Sequence, residues 1–267
     1  MSILSRLLAA AVAWALTGGA AQSQSIGVQG VGDSGITPDA AGCTYNFSAS
    51  NLVWCVSSTG NLQRLTSPTG AEHIAVGQVL EGYGICINNA PVYYDRAAAS
   101  GTAAAGFGAP VVVSGPTGSS VKIARTTTDG RYRLEQKWSR DSSERDLTVE
   151  MTLTSLIGSA VAELKLVRLV DVDANADTVA DGYDKSARAT WIRNVDSVSV
   201  QALTLKYPAS TAITTFLVAD ANPFPCAPAS VAPLPGANQD VAAWVGYDLG
   251  VLGAGKKATV KVGYQVH

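Results

Sequence analysis

Two runs of alternating residues, Arg131-Tyr-Arg-Leu-Glu-Gln-Lys-Trp138 and Leu147-Thr-Val-Glu-Met-Thr-Leu153, decide the fold of this chain. In each run, polar or charged side chains take every second position and mostly apolar ones take the positions between them. This period of two is the pattern of a strand with one face in a core and the other toward water. The stretch therefore predicts two neighbouring strands of an antiparallel sheet.

Similar short strands, separated by turn residues, recur on both sides of this stretch. Asp129-Gly130, just before it, is the strongest hairpin signal in the chain. Further on, the apolar positions change parity near Ala202, which predicts a β-bulge. The whole pattern predicts an all-β fold, an antiparallel β-sandwich in a single large domain. Long loops are predicted for the Ala/Gly-rich stretch 97–109 and the Pro-rich stretch 220–240.

The N-terminal residues 1–21 have the features of a signal peptide. Arg6 supplies a positive charge, and the apolar run Leu7–Leu16 is too short to cross a bilayer core of ~30 Å. Residues 22–42 lack periodicity and are predicted to be a flexible lead-in, which leaves 43–267 as the sandwich domain. No later stretch reaches the ~20 apolar residues of a membrane span, so we expect a secreted or periplasmic protein.

Four cysteines follow the predicted signal peptide: Cys43, Cys55, Cys86 and Cys226. An even number in an oxidising compartment predicts two disulfides, for which three pairings are possible. We favour Cys43–Cys55, because these residues lie on predicted neighbouring strands, and Cys86–Cys226, which would fix the Pro-rich stretch. A zinc site is not indicated, because the chain has no Cys-x-x-Cys pair and only two histidines.

The sharpest candidate site is the acidic segment Asp171-Val-Asp-Ala-Asn-Ala-Asp177. Its oxygen-bearing side chains, Asp171, Asp173, Asn175 and Asp177, take alternate positions, and hard oxygen donors are the ligands that Ca²⁺ prefers. An EF-hand is not indicated, because Ala176 replaces the required glycine and strands are predicted on both sides. Two interpretations remain, a Ca²⁺ loop at a strand end and a solvated acidic turn. No other cofactor is predicted.

Arg168 shares the parity of the apolar residues Leu164 and Leu166, so a regular strand would turn it inward. A buried arginine needs a carboxylate partner, which the acidic segment, Glu135 or Glu150 would supply. The alternative, which we favour, is that its guanidinium reaches solvent at the end of the sheet.

Known catalytic motifs are absent from the sequence: it has no G-x-S-x-G, no H-E-x-x-H and no phosphate-binding loop. A glycosidase with paired carboxylates stays open, because such pairs have no fixed spacing in sequence, and Glu81, Glu135 and Glu150 are its candidates. Glu135 and Glu150 fall on polar strand faces, which favours solvated ion pairs. Among the tryptophans, parity places Trp138 in the core and makes Trp244 the candidate for an exposed position, although core packing is favoured for most of them.

Two segments of the second half, Thr148-Val-Glu-Met-Thr-Leu-Thr-Ser155 and Leu249-Gly-Val-Leu-Gly-Ala-Gly-Lys-Lys-Ala-Thr-Val-Lys-Val262, resemble strand pairs of Ig-like sandwich domains in bacterial secreted proteins. The resemblance implies a binding or structural role and assigns no catalytic residue.

Charge bounds the partners of this chain. Charged residues make up 15% of the sequence and the formal net charge is -2, so nucleic acid is not a predicted partner, whereas a glycan or a surface protein is. We therefore expect a secreted, non-catalytic binding or surface-structural module, with Ca²⁺ as a candidate stabilising ion. The alternative is a secreted carbohydrate-active enzyme, a glycoside hydrolase or lyase, on the same sandwich.

Overall fold

The computed structural model describes thirteen segments of the chain, and its described strands belong to one compact unit, Ile36–His267. The described residues are 42–49, 52–67, 69–74, 79–98, 101–140, 146–157, 163–172, 182–185, 189–193, 197–205, 211–218, 226 and 241–267. Within them the only regular elements are strands, and none of these segments forms a helix long and apolar enough to cross a membrane. The predicted signal peptide, and the lead-in up to residue 41, lie outside the described residues.

The strands are numbered in chain order. They are β1 (Tyr45–Ala49), β2 (Leu52–Val56), β3 (Leu62–Thr66), β4 (Val79–Ile87), β5 (Ala90–Ala98), β6 (Gly101–Ala105), β7 (Val111–Thr117), β8 (Ser120–Thr126), β9 (Tyr132–Arg140), β10 (Asp146–Ser155), β11 (Leu164–Asp171), β12 (Gly182–Lys185), β13 (Ala189–Arg193), β14 (Ser197–Leu205), β15 (Thr211–Val218), β16 (Val241–Gly250) and β17 (Lys257–Val266).

These strands form three antiparallel sheets, which confirms the predicted all-β sandwich. The eight-stranded sheet has the order β12-β13-β14-β17-β10-β9-β8-β7, and the six-stranded sheet has the order β15-β16-β11-β4-β5-β6. The N-terminal strands make a separate three-stranded sheet, β1-β2-β3. One continuous apolar core joins the three sheets, and its members include Trp54 of β2, Trp138 of β9 and Tyr83 of β4.

The alternating stretch forms β9 and β10, which are neighbouring antiparallel strands as predicted, and they lie near the middle of the eight-stranded sheet. Their apolar positions are buried, so alternation in the sequence reads directly as inside and outside. The turn at Asp129-Gly130 joins β8 to β9, and Gly130 has φ +71°, a conformation that glycine adopts without the steric cost of a side chain. The predicted bulge is also present, since the pairing of β14 with β17 shifts between Ala202 and Thr204.

The prediction of a loop over 97–109 is wrong for much of that stretch. β5 continues to Ala98, and the next segment, Gly101–Ala105, forms β6, which pairs with β5. Alanine and glycine have low intrinsic strand preference, but ladder pairing with a neighbouring strand outweighs that preference. Of the Pro-rich stretch 220–240, only Cys226 lies within the described residues.

Both favoured disulfides are present. Cys43 is bonded to Cys55 of β2, and Cys86 of β4 is bonded to Cys226. Disulfides persist in oxidising compartments, so the pair indicates an extracellular or periplasmic protein.

The six-stranded sheet is buried on both of its faces around β11 and β16. Its second face carries a separate apolar cluster, in which Trp244 packs with Val167, Leu169 and Cys226. The expectation that Trp244 is exposed is therefore wrong: its side chain lies across Gly246, where a Cβ atom would overlap the indole ring. Alternation along β16 correctly predicted the sheet face on which Trp244 lies, but it did not predict that Cys226 packs in a cluster on that face. Most outward residues of β9 and β17, in the eight-stranded sheet, are by contrast polar and at least partly exposed.

Candidate functional site

The outward face of the eight-stranded sheet carries a row of charged residues that crosses four adjacent strands. Backbone register places Lys122 of β8 beside Lys137 of β9, Lys137 beside Glu150 of β10, and Glu150 beside Lys261 of β17. Each of these residues alternates along its strand with a core residue, which turns the charged side chain away from the core. We call this surface the outer face.

A second carboxylate, Glu135 of β9, lies next to this row. It accepts a hydrogen bond from Arg133 Nε at 3.1 Å and forms an ion pair with Lys122 Nζ at 2.6 Å. The hydrogen bond from Lys122 is the main cause that holds the pKa of Glu135 below its ordinary value. Glu135 is therefore a carboxylate that stays ionised under neutral conditions.

Glu135 and Glu150 are diagonal neighbours on β9 and β10, because Glu150 pairs with Lys137 and Glu135 pairs with Thr152. Diagonal neighbours of an antiparallel pair lie roughly 7–8 Å apart. The carboxyl groups themselves are paired with Lys122 of β8 and Lys261 of β17, the strands on the two outer sides of β9 and β10. Alternation along each strand predicts that both glutamates lie on polar faces, but only the register of β9 and β10 makes them neighbours.

Hydroxyl groups extend the outer face beside the carboxylates. Thr152 Oγ1 and Thr259 Oγ1 lie 3.0 Å apart, and one donates a hydrogen bond to the other. The ion pair between Glu150 and Lys261 is long, 3.6 Å from Oε2 to Nζ. The side chains of Glu135 and Glu150 are 20% and 28% exposed, so both are within reach of a ligand while remaining partly shielded from water. The expected ion pairs of these two glutamates are confirmed.

The outer face has more cations than carboxylates, although the whole chain has a net charge of -2. On β8, β9, β10 and β17, the carboxylates are Asp146, Glu135 and Glu150, and the cations are Lys122, Arg133, Lys137, Lys257 and Lys261. Such a surface attracts anions more strongly than the overall charge of the protein suggests.

The opposite face of the same sheet meets Arg168, which is fully buried between the two larger sheets. Arg168 forms an ion pair with Glu81 and donates hydrogen bonds to Tyr264 Oη at 2.8 Å and to Gln136 Oε1 at 2.7 Å. Burial works against the charged guanidinium, but the facing Glu81 and Tyr264 raise the pKa of Arg168, so it stays charged. The preferred interpretation, that Arg168 reaches solvent, is wrong, and its partner is not one of the carboxylates that we expected.

A second buried ion pair joins Arg125 to Asp95. Arg125 also donates a hydrogen bond to Tyr83 Oη at 3.2 Å, and Asn61 donates one to Asp95. Glu81, the third carboxylate candidate, is fully buried beside Arg168 and accepts a hydrogen bond from the backbone N–H of Leu62 at 2.8 Å. No substrate can reach these groups without unfolding of the core, so they act as scaffold.

Both buried pairs hold the turn that joins β2 to β3. The carbonyl oxygen of Gly60 accepts hydrogen bonds from Arg168 and from Trp138 Nε1, each at 3.1 Å. The carbonyl oxygen of Thr59 accepts one from Tyr83 Oη at 2.7 Å. This turn, residues 57–61, is thereby anchored inside the sandwich, and it attaches the three-stranded sheet to the other two. We call it the anchored turn.

The predicted calcium site falls mostly outside the described residues. Asp171 is buried at the end of β11, whereas Asp173, Asn175 and Asp177 are not described. Within the described ranges, no group of three or more His, Cys, Asp or Glu side chains is placed to hold a metal ion. The Ca²⁺ loop therefore stays a prediction.

Several solved structures share this fold. A protein of Escherichia coli K12 assigned as a candidate aldose 1-epimerase superimposes with a TM-score of 0.52 and 11% identity, over 84% of this chain and 98% of that one. A galactose mutarotase related enzyme from Lactobacillus acidophilus superimposes with a TM-score of 0.52 and 9% identity, over 84% of this chain and 97% of that one. A bacterial glucoamylase complexed with acarbose superimposes with a TM-score of 0.55 and 11% identity, over 90% of this chain but only 34% of that one. No protein-family model and no curated protein matches the sequence.

These similarities correct two expectations. The chain has the sandwich fold of the galactose mutarotase-like structures, so the resemblance to Ig-like domains is wrong. The interpretation as a non-catalytic module is also wrong, because the similar structures are of carbohydrate-active enzymes and favour the alternative expectation. The misleading signal was the strand pair of the second half, which any antiparallel sandwich contains.

Proposed function

We propose that this protein is a carbohydrate-active enzyme that binds a glycan across the outer face of its eight-stranded sheet. The observation that carries the proposal is the diagonal pair Glu135 and Glu150, two carboxylates on adjacent strands of a surface that a ligand can reach; glycoside hydrolases use such a pair of carboxyl groups. The shared fold with sugar-processing enzymes supports the same assignment.

The two glutamates have different surroundings. Glu135 is held ionised by Lys122 and Arg133, so it acts as the base that accepts a proton from substrate or water. Glu150 has the longer contact with Lys261 and is the second carboxylate that a substrate on this face would meet. The hydroxyls of Thr152 and Thr259 are placed to bond sugar hydroxyl groups.

The charge of the outer face favours an acidic glycan, one with uronate or sulfate groups. Lys137 is exposed in the centre of the charged row, next to Glu150, where it would meet an anionic group of the substrate. The ammonium group of lysine and the guanidinium group of arginine are the usual partners of carboxylate and sulfate groups. The signal peptide predicted at 1–21 and the two disulfides support action outside the cytoplasm.

The test is a screen of the purified protein against neutral and acidic oligosaccharides. Polarimetry follows epimerisation at the anomeric carbon, reducing-end release follows hydrolysis, and ultraviolet absorbance follows the unsaturated product of a lyase. We expect Glu135→Gln and Glu150→Gln each to lower kcat by at least about 100-fold, as loss of a general acid or base does.

The matched control is Glu163→Gln, which changes an exposed glutamate that precedes β11 and lies outside the outer face. It should leave kcat unchanged. The proposal is wrong if no oligosaccharide reacts, or if the Glu135 and Glu150 variants react as fast as the control.

We also propose that Ca²⁺ binds the acidic segment 171–177 as a stabilising ion. The alternate spacing of its oxygen donors supports this. The melting experiment described in the Discussion tests it.

A further inference from the structure

One lysine of the outer face has an ammonium group that the protein itself does not use. Lys137 is exposed and forms no ion pair among the residues that the structure describes, whereas each of the two glutamates beside it is paired with other cations. Lys137 lies two residues from Glu135 on the same face of β9, so their Cα atoms are roughly 7 Å apart. An unpaired cation and an ionised carboxylate therefore lie side by side on one strand.

The two glutamates of the outer face are poorly suited to donate a proton. Hydrolysis of a glycoside needs a carboxyl group that holds a proton and gives it to the leaving oxygen, and epimerisation at the anomeric carbon also needs a proton donor. A neighbouring cation favours the ionised form of a carboxyl group. Glu135 has two such neighbours, and Glu150 has Lys261.

Other common proton donors are missing from this part of the surface. The outward positions of β8, β9, β10 and β17, which the structure describes in full, carry no histidine, tyrosine or cysteine. His73 is buried, and Asp146 lies four residues before Glu150 on β10, roughly 14 Å away along the strand. The outer face thus supplies a base and a cation rather than an acid and a base.

We propose that the reaction on the outer face is a β-elimination, which cleaves a glycan at a 4-linked uronate unit. Lys137 binds the uronate carboxylate and stabilises the negative charge that develops next to it when Glu135 takes the proton from C5. This inference rests on the proposed function and narrows it to one reaction on one class of sugar.

The step balances without a further reactant. The electrons of the C5–H bond form a C4=C5 double bond, and the bond from C4 to the glycosidic oxygen breaks. That oxygen takes a proton from water, and Glu135 then returns its own proton to water. No water is consumed overall, which distinguishes the reaction from hydrolysis.

The test incubates the purified protein with oligomers of 4-linked galacturonate, mannuronate and glucuronate. We expect one of them to give products whose masses sum to that of the substrate, together with ultraviolet absorbance from the C4=C5 double bond. The same oligomer with its carboxylates reduced to alcohols should not be cleaved, because its C5 proton is no longer acidic.

Variants of Lys137 test its role. Lys137→Gln should lower kcat on the cleaved oligomer at least about 100-fold, because the group that stabilises the developing charge is lost. Lys137→Arg should recover part of that loss. Lys165→Gln, on β11 of the six-stranded sheet, is the matched control and should leave kcat unchanged. Circular dichroism should be the same for all three variants. A rise in KM without a fall in kcat would show that Lys137 only attracts the glycan.

The outcomes separate this inference from the proposed function. Cleavage that adds one water for each bond, equal cleavage of the carboxyl-reduced oligomer, or activity on neutral glycans alone overturns the elimination and leaves the proposed enzyme in place. If no glycan, neutral or acidic, reacts by any route, the proposed function is wrong and the elimination is wrong with it.

Discussion

The eight-stranded sheet carries polar groups on both faces, but the groups on the inner side are buried whereas those on the outer face are accessible. On the inner side, Gln136 and Tyr264 bond to Arg168, which is paired with Glu81, and all of these groups are closed off from water. On the outer face, Glu135 and Glu150 are held by cations but stay within reach of a ligand. Adjacent residues of one strand, Glu135 and Gln136, thus serve different ends. The difference shows that accessibility, more than the presence of charge, separates a candidate site from a scaffold.

The largest effect should come from the inner side. Arg168→Met removes the guanidinium and leaves the Glu81 carboxylate buried without its counter-ion, so the free energy of unfolding should fall by about 3–5 kcal/mol. Urea unfolding at neutral pH measures the change. Lys137→Met, on the outer face, should stay within about 0.5 kcal/mol of wild type.

A double variant sharpens this result. Adding Glu81→Gln to Arg168→Met removes the orphaned charge and should restore part of the lost stability. If Arg168→Met lowers the free energy of unfolding no more than Lys137→Met does, the contrast between the two faces does not hold.

The next effect concerns the end of β11, the strand that carries both Arg168 and Asp171. If Ca²⁺ binds residues 171–177, saturation at 100 times the dissociation constant should add roughly 2.7 kcal/mol to the free energy of unfolding. Thermal melts with millimolar CaCl₂ and with EDTA measure this, with MgCl₂ as the control for ionic strength. An identical melting temperature in CaCl₂ and EDTA would show that the segment is a solvated turn.

A smaller effect is expected at the anchored turn. Gly60 has φ +96°, and a Cβ atom there would overlap Gln136 Nε2, so Gly60→Ala combines backbone strain with a disturbed inner network. We expect a loss of about 1–3 kcal/mol in chemical denaturation. Gly130→Ala is the matched control, because Gly130 also has positive φ but a Cβ there would meet open space. Equal losses in the two variants would mean that contact with Gln136 contributes nothing.

The smallest effect lies on the outer face and depends on pH. The pKa of Glu135 is lowered in the folded protein, chiefly by Lys122, so its contribution to stability is present above the unfolded pKa and is lost as pH falls through the folded pKa. Lys122→Met should therefore cost less than about 1 kcal/mol at neutral pH, because the pair is partly exposed. Denaturation series at neutral and strongly acidic pH test this; a cost that persists in acid would rule out the ion pair as its source.

The sequence was sufficient for features that depend on local alternation. Trp138 and Met151 are core residues because they lie on the apolar parity of β9 and β10, and Asp129-Gly130 forms a turn because glycine tolerates its positive φ. The bulge after Ala202 followed from the change in parity, for the same reason.

Features that depend on contacts between distant segments could not be predicted from the sequence. Parity turned Arg168 inward but did not identify Glu81, because the pairing of β4 with β11 leaves no local signal. Trp244 was misplaced, since nothing near it in sequence shows that Cys226 belongs to the same buried cluster. For the candidate site, the polar faces of Glu135 and Glu150 were predicted, but their proximity needed the register of two strands joined by a turn of unspecified geometry.

The inner network has a consequence for how fast this protein folds. The hydrogen bond from Tyr264 to Glu81 closes a loop of 183 residues, and that from Arg168 to Gly60 closes one of 108. Contacts so distant in sequence form slowly, because closing a long loop lowers the entropy of the chain before the contact can stabilise the structure. Until β17 docks, the buried carboxylate and guanidinium lack part of their hydrogen-bonding shell. Refolding should therefore be slow, on a timescale of milliseconds or longer.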